Sequence, residues 1–312
     1  MSAPRTLLVV NPAAGAGRAG RVLSRVLEEL KPWGAFDIAV TRAGEERPAE
    51  RIVREAVAAG ITRIAVLGGD GTASQALNGL RRADGSIAPV PLALIPAGTG
   101  RDFSRSIATS RKPVQVARRI GRGVSERVVD IGEIALENGE VRLFLNIASF
   151  GVTARIAHAL EEFPRLKRHA GALAFGIATM RAGLGYAPDR VALRVDEQEP
   201  VDGPVAAAAI ANGAWFGGGM HVAPTARLDD GRFEVVRFGD IARSDFVVSL
   251  PLLYKGTHYA HPKVTVAQGA TVMAAPSGGA GARAVEIEAD GEIVGALPAR
   301  FRIRPAALTL LV

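Results

Sequence analysis

The sequence predicts two domains of different class, a doubly wound α/β domain followed by an antiparallel β-sandwich. Up to about residue 125, short apolar runs alternate with stretches of helical apolar spacing, the pattern of a parallel sheet covered by helices. Residues 127–294 instead read as short, valine-rich alternating segments, such as 128–133 and 142–148, separated by glycine, proline and Asp-Gly turns. At 312 residues and 48% hydrophobic content, the chain can fill two cores.

Three apolar strands in the first part each run into a glycine-rich loop. The strands cover residues 7–10, 64–67 and 92–95, and helical spacing follows the first two loops. Ligands of open α/β sheets bind at the carboxyl ends of the strands. The three loops should therefore converge on one site.

The second loop, residues 68–72, reads Gly-Gly-Asp-Gly-Thr and is the most informative segment of the chain. Its glycines permit close approach of the backbone, and the helix that follows offers unpaired N–H groups to a phosphate. Since the carboxylate of Asp70 would repel a bare phosphate, Mg²⁺ or a basic side chain is expected nearby. Taken alone, this motif favours an ordinary Asp-Gly turn with a helix cap.

The first loop also matches the dinucleotide fingerprint, as Gly15-x-Gly17-x-x-Gly20. That fingerprint expects an acidic residue after the second strand, but residues 36–40 are followed by Thr41 and Arg42. Arg42 suits a 2′-phosphate, so a nicotinamide cofactor stays open as an alternative. No Gly-Lys-Ser or Gly-Lys-Thr occurs, which excludes a Walker-type phosphate loop.

Three motifs occur in order at these strand ends: Asn11-Pro12-x-x-Gly15, the 68–72 loop, and Pro96-x-Gly98-Thr99-x-x-Asp102-Phe103. In this combination the chain resembles bacterial lipid kinases of the diacylglycerol kinase and sphingosine kinase superfamily. Segments 216–220, 223–224, 228–231, 255–258 and 290–292 resemble further landmarks of that family, in family order. Arg101 departs from the family, which usually has Asn there; its guanidinium could reach a phosphate or pair with Asp102.

The resemblance implies an organisation of the chain. Residues 1–127 form the nucleotide-binding α/β domain, to which residues 299–312 return, and residues 128–298 form a lipid-binding β-sandwich. The cleft between the domains is the expected active site. Asp70 is expected to act through catalytic Mg²⁺. The nucleotide contacts carried over are Asn11, Gly15, Thr41, Gly68, Gly69, Asp70, Gly71, Thr72 and Thr99.

Two Asp-Gly turns in the second half are implied to carry further roles. In Asp290-Gly291-Glu292, the resemblance makes Glu292 the general base, with Asp290 either orienting the acceptor hydroxyl or ordering the site. At Asp229-Asp230-Gly231 it implies a structural Mg²⁺ held by the Asp230 carboxylate and the main-chain carbonyls of Arg227 and Arg232. From the residues alone, the 290–292 segment favours a plain hairpin turn, and the 229–231 segment is equally a plain turn without metal.

The formal net charge of +7 points to an anionic partner. One basic cluster is Arg118, Arg119 and Arg122. The other, at residues 165–169, opens an expected helix over 165–182 that could form a substrate lid at an anionic membrane surface. A solvated end of a core-packing helix explains that second cluster equally well. With only 5% aromatic residues and no known module, nucleic acid is not expected as a partner.

The composition says little about the cellular compartment of the protein. The chain has no cysteine and no apolar run long enough to cross a bilayer, and we expect no secretory leader. We expect a cytoplasmic protein that is peripheral to the inner membrane face, and leave a homodimer open.

Together these observations predict an ATP- and Mg²⁺-dependent lipid kinase whose acceptor is the hydroxyl of diacylglycerol or a similar lipid. Two alternatives stay open. One is an NAD kinase-like enzyme with a soluble acceptor, which would share the 68–72 cradle. The other is a non-catalytic module that binds nucleotide or lipid at a membrane surface.

Overall fold

The computed structural model describes residues 5–162, 178, 187–241, 250–279 and 283–312. The chain divides into two compact units, which we call the amino-terminal unit (Met1–Asp130 with Ala306–Val312) and the carboxy-terminal unit (Ile131–Pro305). The sequence predicts these changeovers after residue 127 and before residue 299. In the structure both lie later, after residues 130 and 305, because a strand continues across each of them.

The amino-terminal unit contains a parallel sheet with helices around it. Its first four strands are β1 (Thr6–Val10), β2 (Phe36–Val40), β3 (Arg63–Gly68) and β4 (Leu92–Pro96). Its helices are α1 (Ala14–Leu30), α2 (Pro48–Ala58), α3 (Asp70–Gly79), α4 (Asp102–Ser106) and α5 (Pro113–Arg122). The strand order is β2-β1-β3-β4 with parallel pairing throughout. The topological switch point, where such folds bind ligands, therefore lies at the carboxyl ends of β1 and β3.

Apolar side chains bury both faces of this sheet. Leu8 and Val10 of β1 and Leu67 of β3 form one cluster with helices α1 and α5. The alternate residues Val9 and Ile64 are buried as well, and α2 packs against α3. Strands covered on both faces read as continuous apolar runs, which is why the sequence shows them clearly.

The carboxy-terminal unit is built from antiparallel strands, so the predicted fold class is confirmed. Its elements are β5 (Glu126–Leu136, which begins in the first unit), β6 (Val141–Phe144), β7 (Ile147–Gly151), α6 (Val152–Glu162), β8 (Asp189–Val195), β9 (Val201–Val205), β10 (Ala207–Ala211), β11 (Phe233–Phe238), β12 (Val264–Gly269), β13 (Thr271–Pro276), β14 (Glu286–Ala289) and β15 (Glu292–Ala296). One sheet has the order β12-β11-β10-β7-β14-β15. A second contains β13-β8-β9 and the β5-β6 hairpin. Phe144, Phe150 and Phe233 are fully buried in their common core.

The single strand predicted over residues 142–148 is wrong in one respect, because the structure divides it into β6 and β7. Leu145 and Asn146 lie between them and donate their N–H groups to the Asp290 carboxylate. That acceptor lies far along the chain, so local alternation does not reveal the interruption.

The last strand, β16 (Ala299–Leu311), belongs to both units in turn. Residues 299–302 pair antiparallel with β13, whereas Leu310 and Leu311 pair parallel with Leu92 and Ala93 of β4. The carboxyl end of the chain is thereby a strand of the amino-terminal sheet.

The basic cluster at 165–169 lies outside the described residues, and so does the helix predicted over 165–182 except for residue 178. Among the residues that the structure describes, no helix combines the length and apolar character needed to cross a membrane.

Candidate active site

In the amino-terminal unit, the three glycine-rich loops meet at the switch point of the sheet. Asn11, directly after β1, donates its backbone N–H to the Leu67 carbonyl at 3.0 Å. Its Nδ2 donates to Oγ1 of Thr72 in helix α3, also at 3.0 Å. The backbone N–H groups of Ala97 and Gly98 both donate to the Gly68 carbonyl, at 2.7 and 3.1 Å. Hydrogen bonds thus join the second loop to each of the others.

Glycine is required where these loops touch. A Cβ atom at Gly98 would lie 2.5 Å from Cα of Gly69, and one at Gly15 would lie 2.0 Å from the Ala97 carbonyl oxygen. Residues 15–17 also have positive φ angles of 58°, 62° and 76°, so the regular part of α1 begins only after them. The loops therefore contact each other through bare backbone.

Gly98→Ala is expected to lower the free energy of unfolding by about 1–3 kcal/mol, because the new methyl group forces two backbones apart. Urea unfolding followed by circular dichroism measures this change. The matched control is Gly20→Ala, whose Cβ would meet nothing closer than 3.4 Å. In helix α1 that substitution should be neutral or stabilising by up to about 1 kcal/mol. Equal stability of the Gly98→Ala variant and the native chain would contradict the packing described above.

Asp70 connects the second loop to the third. Its carboxylate accepts the backbone N–H of Asp102 at 3.1 Å and that of Phe103 at 3.4 Å, which caps helix α4. Burial raises the pKa of Asp70, while these N–H groups and the nearby Arg105 act in the opposite direction. The backbone of the third loop thus holds the Asp70 side chain at the amino terminus of α3.

Three arginines supply positive charge around the second and third loops, and the charges of Arg101 and Arg105 act on Asp70. Arg18 donates to the Gly98 carbonyl at 3.3 Å, and Arg105 donates to the Gly100 carbonyl at 2.7 Å. Arg105 also forms an ion pair with Asp102. Arg101 donates from Nη1 to the carbonyl of Arg111 at 3.0 Å. Of these, only Arg101 was singled out from the sequence. The i, i+3 spacing of Asp102 and Arg105 is the one local signal that could have shown another.

The remaining nucleotide candidates lie on the same edge of the sheet. Thr41 is buried at the end of β2, with its N–H bound to the Val10 carbonyl at 2.9 Å. Gly71 lies in the first turn of α3, and Thr99 is exposed on the third loop. The structure therefore brings all nine carried-over nucleotide positions to the carboxyl edge of one sheet.

In the carboxy-terminal unit, Asp290 and Gly291 form the two-residue hairpin turn between β14 and β15. Their φ angles are 50° and 92°, as a type I′ turn requires. The Asp290 carboxylate accepts the N–H groups of Leu145, Asn146 and Ile147 at 2.7, 3.0 and 3.3 Å. Asp290 therefore fixes the turn against the β6–β7 connection, and partly exposed Glu292 follows as the first residue of β15.

Glu288 was not singled out from the sequence. Its buried carboxylate accepts the hydroxyl of Ser149 at 2.7 Å and the backbone N–H of Gly291. The alternation of acidic residues at 286, 288, 290 and 292 is the signal that could have found it, since residues two apart share one face of a strand. Glu288 and Asp290 together hold the backbone that presents Glu292.

The turn at Asp229-Asp230-Gly231 is exposed. Oδ1 of Asp230 accepts the N–H of Arg232 at 3.1 Å, and Arg227 pairs with Asp229 at 3.4 Å. Within the described ranges, no three His, Asp or Glu side chains gather as metal ligands. One carboxylate with main-chain carbonyls and waters is nevertheless an oxygen donor set of the kind that Mg²⁺ accepts.

An apolar cavity that is partly open to solvent lies within the carboxy-terminal unit. Its walls come from α6, β10, the end of β11 and the segments around residues 216–222 and 250–264. The lining residues are Val152, Thr153, Ile156, Ala207, Ala208, Ala209, Phe216, Met220, Val222, Phe238, Ile241, Leu250, Leu253, His258, His261 and Val264. Because they are spread along the chain between residues 152 and 264, no local pattern predicts the cavity.

Two buried polar groups, on His258 and Thr153, line this cavity. His258 is 1% exposed, and its Nε2 lies 3.0 Å from the Val222 carbonyl. Burial lowers the pKa of His258, since the imidazolium form would lose its hydration. The hydroxyl of Thr153 is buried without a hydrogen-bond partner among the described residues. The cavity suits an uncharged, predominantly apolar ligand.

Two protein-family models match the chain, one in each half. The model of the diacylglycerol kinase catalytic domain matches residues 5–134, and that of the YegS C-terminal NAD kinase beta sandwich-like domain matches residues 146–312. A diacylglycerol kinase of Mycobacterium tuberculosis is 27% identical over 303 residues, which cover 97% of this chain and 93% of that protein. A Pseudomonas fluorescens protein described as a probable lipid kinase YegS-like is 32% identical over 214 residues, 68% of this chain and 66% of that protein.

A solved structure shares the fold. The crystal structure of a diacylglycerol kinase from Bacillus anthracis superposes with a TM-score of 0.72 and 22% sequence identity, covering 98% of this chain and 96% of that one. At this identity the likeness concerns the fold alone.

Proposed function

Since the chain belongs to the lipid kinase family that joins a diacylglycerol kinase catalytic domain to a YegS-like carboxy-terminal domain, we propose that it transfers the γ-phosphoryl group of ATP to a hydroxyl of diacylglycerol or a closely related lipid. The named lipid, the use of ATP and the requirement for Mg²⁺ are parts of this proposal. The relatives named above support the reaction class.

The apolar cavity of the carboxy-terminal unit is the observation that carries the choice of acceptor. Its lining is dominated by Val, Ile, Leu, Ala, Phe and Met side chains, and buried His258 is kept neutral. Moving a charged dinucleotide into such surroundings would cost its hydration without a compensating charge. An acyl chain gains free energy there, at roughly 0.8 kcal/mol for each buried CH₂ group. The cavity therefore favours a lipid acceptor over NAD.

The amino-terminal unit provides the features that a nucleotide donor needs. Bare backbone at Gly68, Gly69 and Gly98 permits close approach, and the start of α3 offers N–H groups to phosphate oxygens. Arg18 and Arg101 add positive charge at the same edge of the sheet. Bound Mg²⁺ would neutralise the phosphate charge during transfer, with Asp70 as its carboxylate in this unit. A second, structural Mg²⁺ would be held by Asp230 and the carbonyls of Arg227 and Arg232.

In the proposed reaction, Glu292 removes the proton of the acceptor hydroxyl, and the hydroxyl oxygen attacks the γ-phosphorus while the bond to the leaving ADP breaks. Asp290 is a positioning residue, because its carboxylate already accepts three backbone N–H groups. Diacylglycerol resides in membranes, so the proposal includes peripheral contact with an anionic membrane surface by a cytoplasmic protein.

The test is an acceptor panel with [γ-³²P]ATP and Mg²⁺. Diacylglycerol, monoacylglycerol and sphingosine are presented in mixed micelles, and NAD is presented in solution. Label in a lipid product that depends on Mg²⁺ supports the proposal. Label in NAD alone would replace it by a soluble-acceptor kinase, and ATP binding without any transfer would replace it by the non-catalytic module that binds nucleotide or lipid.

Leu253→Gln is expected to raise KM for the lipid about tenfold while leaving KM for ATP unchanged, because it places an amide in the wall of the acceptor cavity. Leu253 is only half-buried, so the fold should tolerate the change. Val266→Gln is the matched control, since Val266 is 39% exposed on β12 and does not line the cavity. Equal lipid KM values in the two variants would show that the acceptor binds elsewhere.

A further inference from the structure

Arg101 has a backbone conformation that is unfavourable for residues other than Gly and Asn. Its φ and ψ angles are 55° and 39°, in the left-handed region that Gly and Asn adopt more easily. The guanidinium is partly buried, and its Nε atom has no hydrogen-bond partner among the described residues. Residues in such strained backbone conformations cluster at active sites and ligand-binding sites.

The surroundings of Arg101 are unfavourable for a cation in the absence of an anion. Arg18, Arg105 and Arg111 lie close enough that, together with burial, their charges lower the pKa of Arg101. Asp70 offsets this only in part, and Asp102 pairs with Arg105. No carboxylate in the described part of the chain forms an ion pair with Arg18, Arg101 or Arg111. The site therefore holds positive charge that an anionic ligand would neutralise.

The position of these arginines relative to the phosphate loops is fixed by backbone contacts. The Arg18 guanidinium is bound to the Gly98 carbonyl at 3.3 Å, and Gly98 packs directly on Gly69 of the second loop. A Cβ atom at Gly100, next to Arg101, would lie 3.2 Å from Oδ2 of Asp70. Arg101 and Arg18 thus border the start of α3 from the side of the third loop.

We propose that Arg101, together with Arg18, clamps the terminal phosphate of the donor nucleotide and is the residue that distinguishes the triphosphate from the diphosphate product. This inference rests on the proposed function in that it takes the amino-terminal unit as the donor site. A guanidinium fits the role because it offers several N–H donors in a fixed plane and keeps its charge. Apart from the hydrogen bond to the Arg111 carbonyl, which holds the guanidinium in place, the backbone strain and the charge repulsion work against the fold, and this argues for a ligand.

The test compares Arg101→Asn with the native chain. Isothermal titration calorimetry, without lipid, measures binding of MgATP, MgADP and inorganic tripolyphosphate, and thermal unfolding is followed without ligand. Affinity for MgATP and for tripolyphosphate is expected to fall about tenfold to a hundredfold, and affinity for MgADP much less. The melting temperature should stay the same or rise, since Asn adopts the left-handed conformation more easily.

Arg82→Asn is the matched control, because it removes the same charge from an exposed position of the same unit. It should leave all three affinities at native values, and Arg101→Lys should recover part of the MgATP affinity. Equal losses for MgATP and MgADP, or a lower melting temperature with unchanged affinities, would overturn the clamp. If lipid phosphorylation persists while Arg101→Asn binds MgATP normally, this inference alone fails. If the native chain binds no nucleotide, the proposed function fails with it.

Discussion

Glutamine in place of Glu292 is expected to lower kcat for lipid phosphorylation by about two to four orders of magnitude, because an amide cannot accept the proton of the acceptor hydroxyl. KM for ATP should change little, since Glu292 belongs to the carboxy-terminal unit and the donor loops belong to the other. The fold should tolerate the change, because Glu292 is partly exposed at the start of β15 and glutamine has the same shape. Steady-state kinetics with varied ATP and varied lipid measure both parameters.

Glu137→Gln serves as its matched control. Glu137 lies exposed directly after β5 in the same unit, and its replacement removes the same charge. It should leave kcat at the native value. A Glu292→Gln variant with native kcat would show that another group accepts the proton, and buried Glu288, adjoining the same turn, would be the next carboxylate to replace.

Alanine in place of Asp70 is expected to abolish nucleotide-dependent transfer, lowering kcat/KM by at least about a hundredfold, and to destabilise the amino-terminal unit. Two N–H groups at the start of α4 lose their acceptor, which costs about 1–3 kcal/mol. Urea unfolding and the transfer assay measure the two effects separately. Asp84→Ala is the control, because Asp84 also accepts a backbone N–H, from Ser86 at 2.9 Å, but in an exposed turn. It should cost less stability and leave transfer unchanged.

The pH dependence of stability gives a second readout for Asp70. Burial raises its pKa above that of the unfolded chain. Between the two pKa values the folded protein holds more protons than the unfolded chain, so this group's contribution to the free energy of unfolding falls as the pH rises through that window. Asp70→Asn, which has no carboxyl proton to lose, should show a weaker fall than the native chain. An identical pH profile in both would contradict the assigned environment of Asp70.

The parts of the fold that the sequence predicts well are those governed by local chemistry. Buried parallel strands such as β1 and β3 appear as unbroken apolar runs, and the glycines after them mark the loops. The Asp290-Gly291 turn follows from the residue types that positive φ angles require. Asn11 and the 68–72 loop could be brought together from the sequence because parallel strands end at one edge of a sheet.

The features that the sequence does not reveal depend on contacts between distant residues. Asp290, which lies far along the chain, interrupts the strand predicted over 142–148 by accepting the N–H groups of Leu145 and Asn146. The apolar cavity collects side chains from α6, β10 and the segment around residues 250–264, and none of these segments is a binding motif by itself. Arg18 meets the third loop only through the folded backbone at Gly98. Three-dimensional packing, rather than local propensity, decides each of these.

The measurement that tests the central claim most directly is transfer of label from [γ-³²P]ATP to diacylglycerol by the purified chain and by Glu292→Gln, side by side, with MgATP binding to both determined by calorimetry. We expect labelled phosphatidic acid from the native chain, abolished by EDTA, and the loss of at least about 99% of that rate in the variant at unchanged MgATP affinity. A native chain that binds MgATP but labels no lipid, or a variant that labels diacylglycerol at the native rate, would contradict the account.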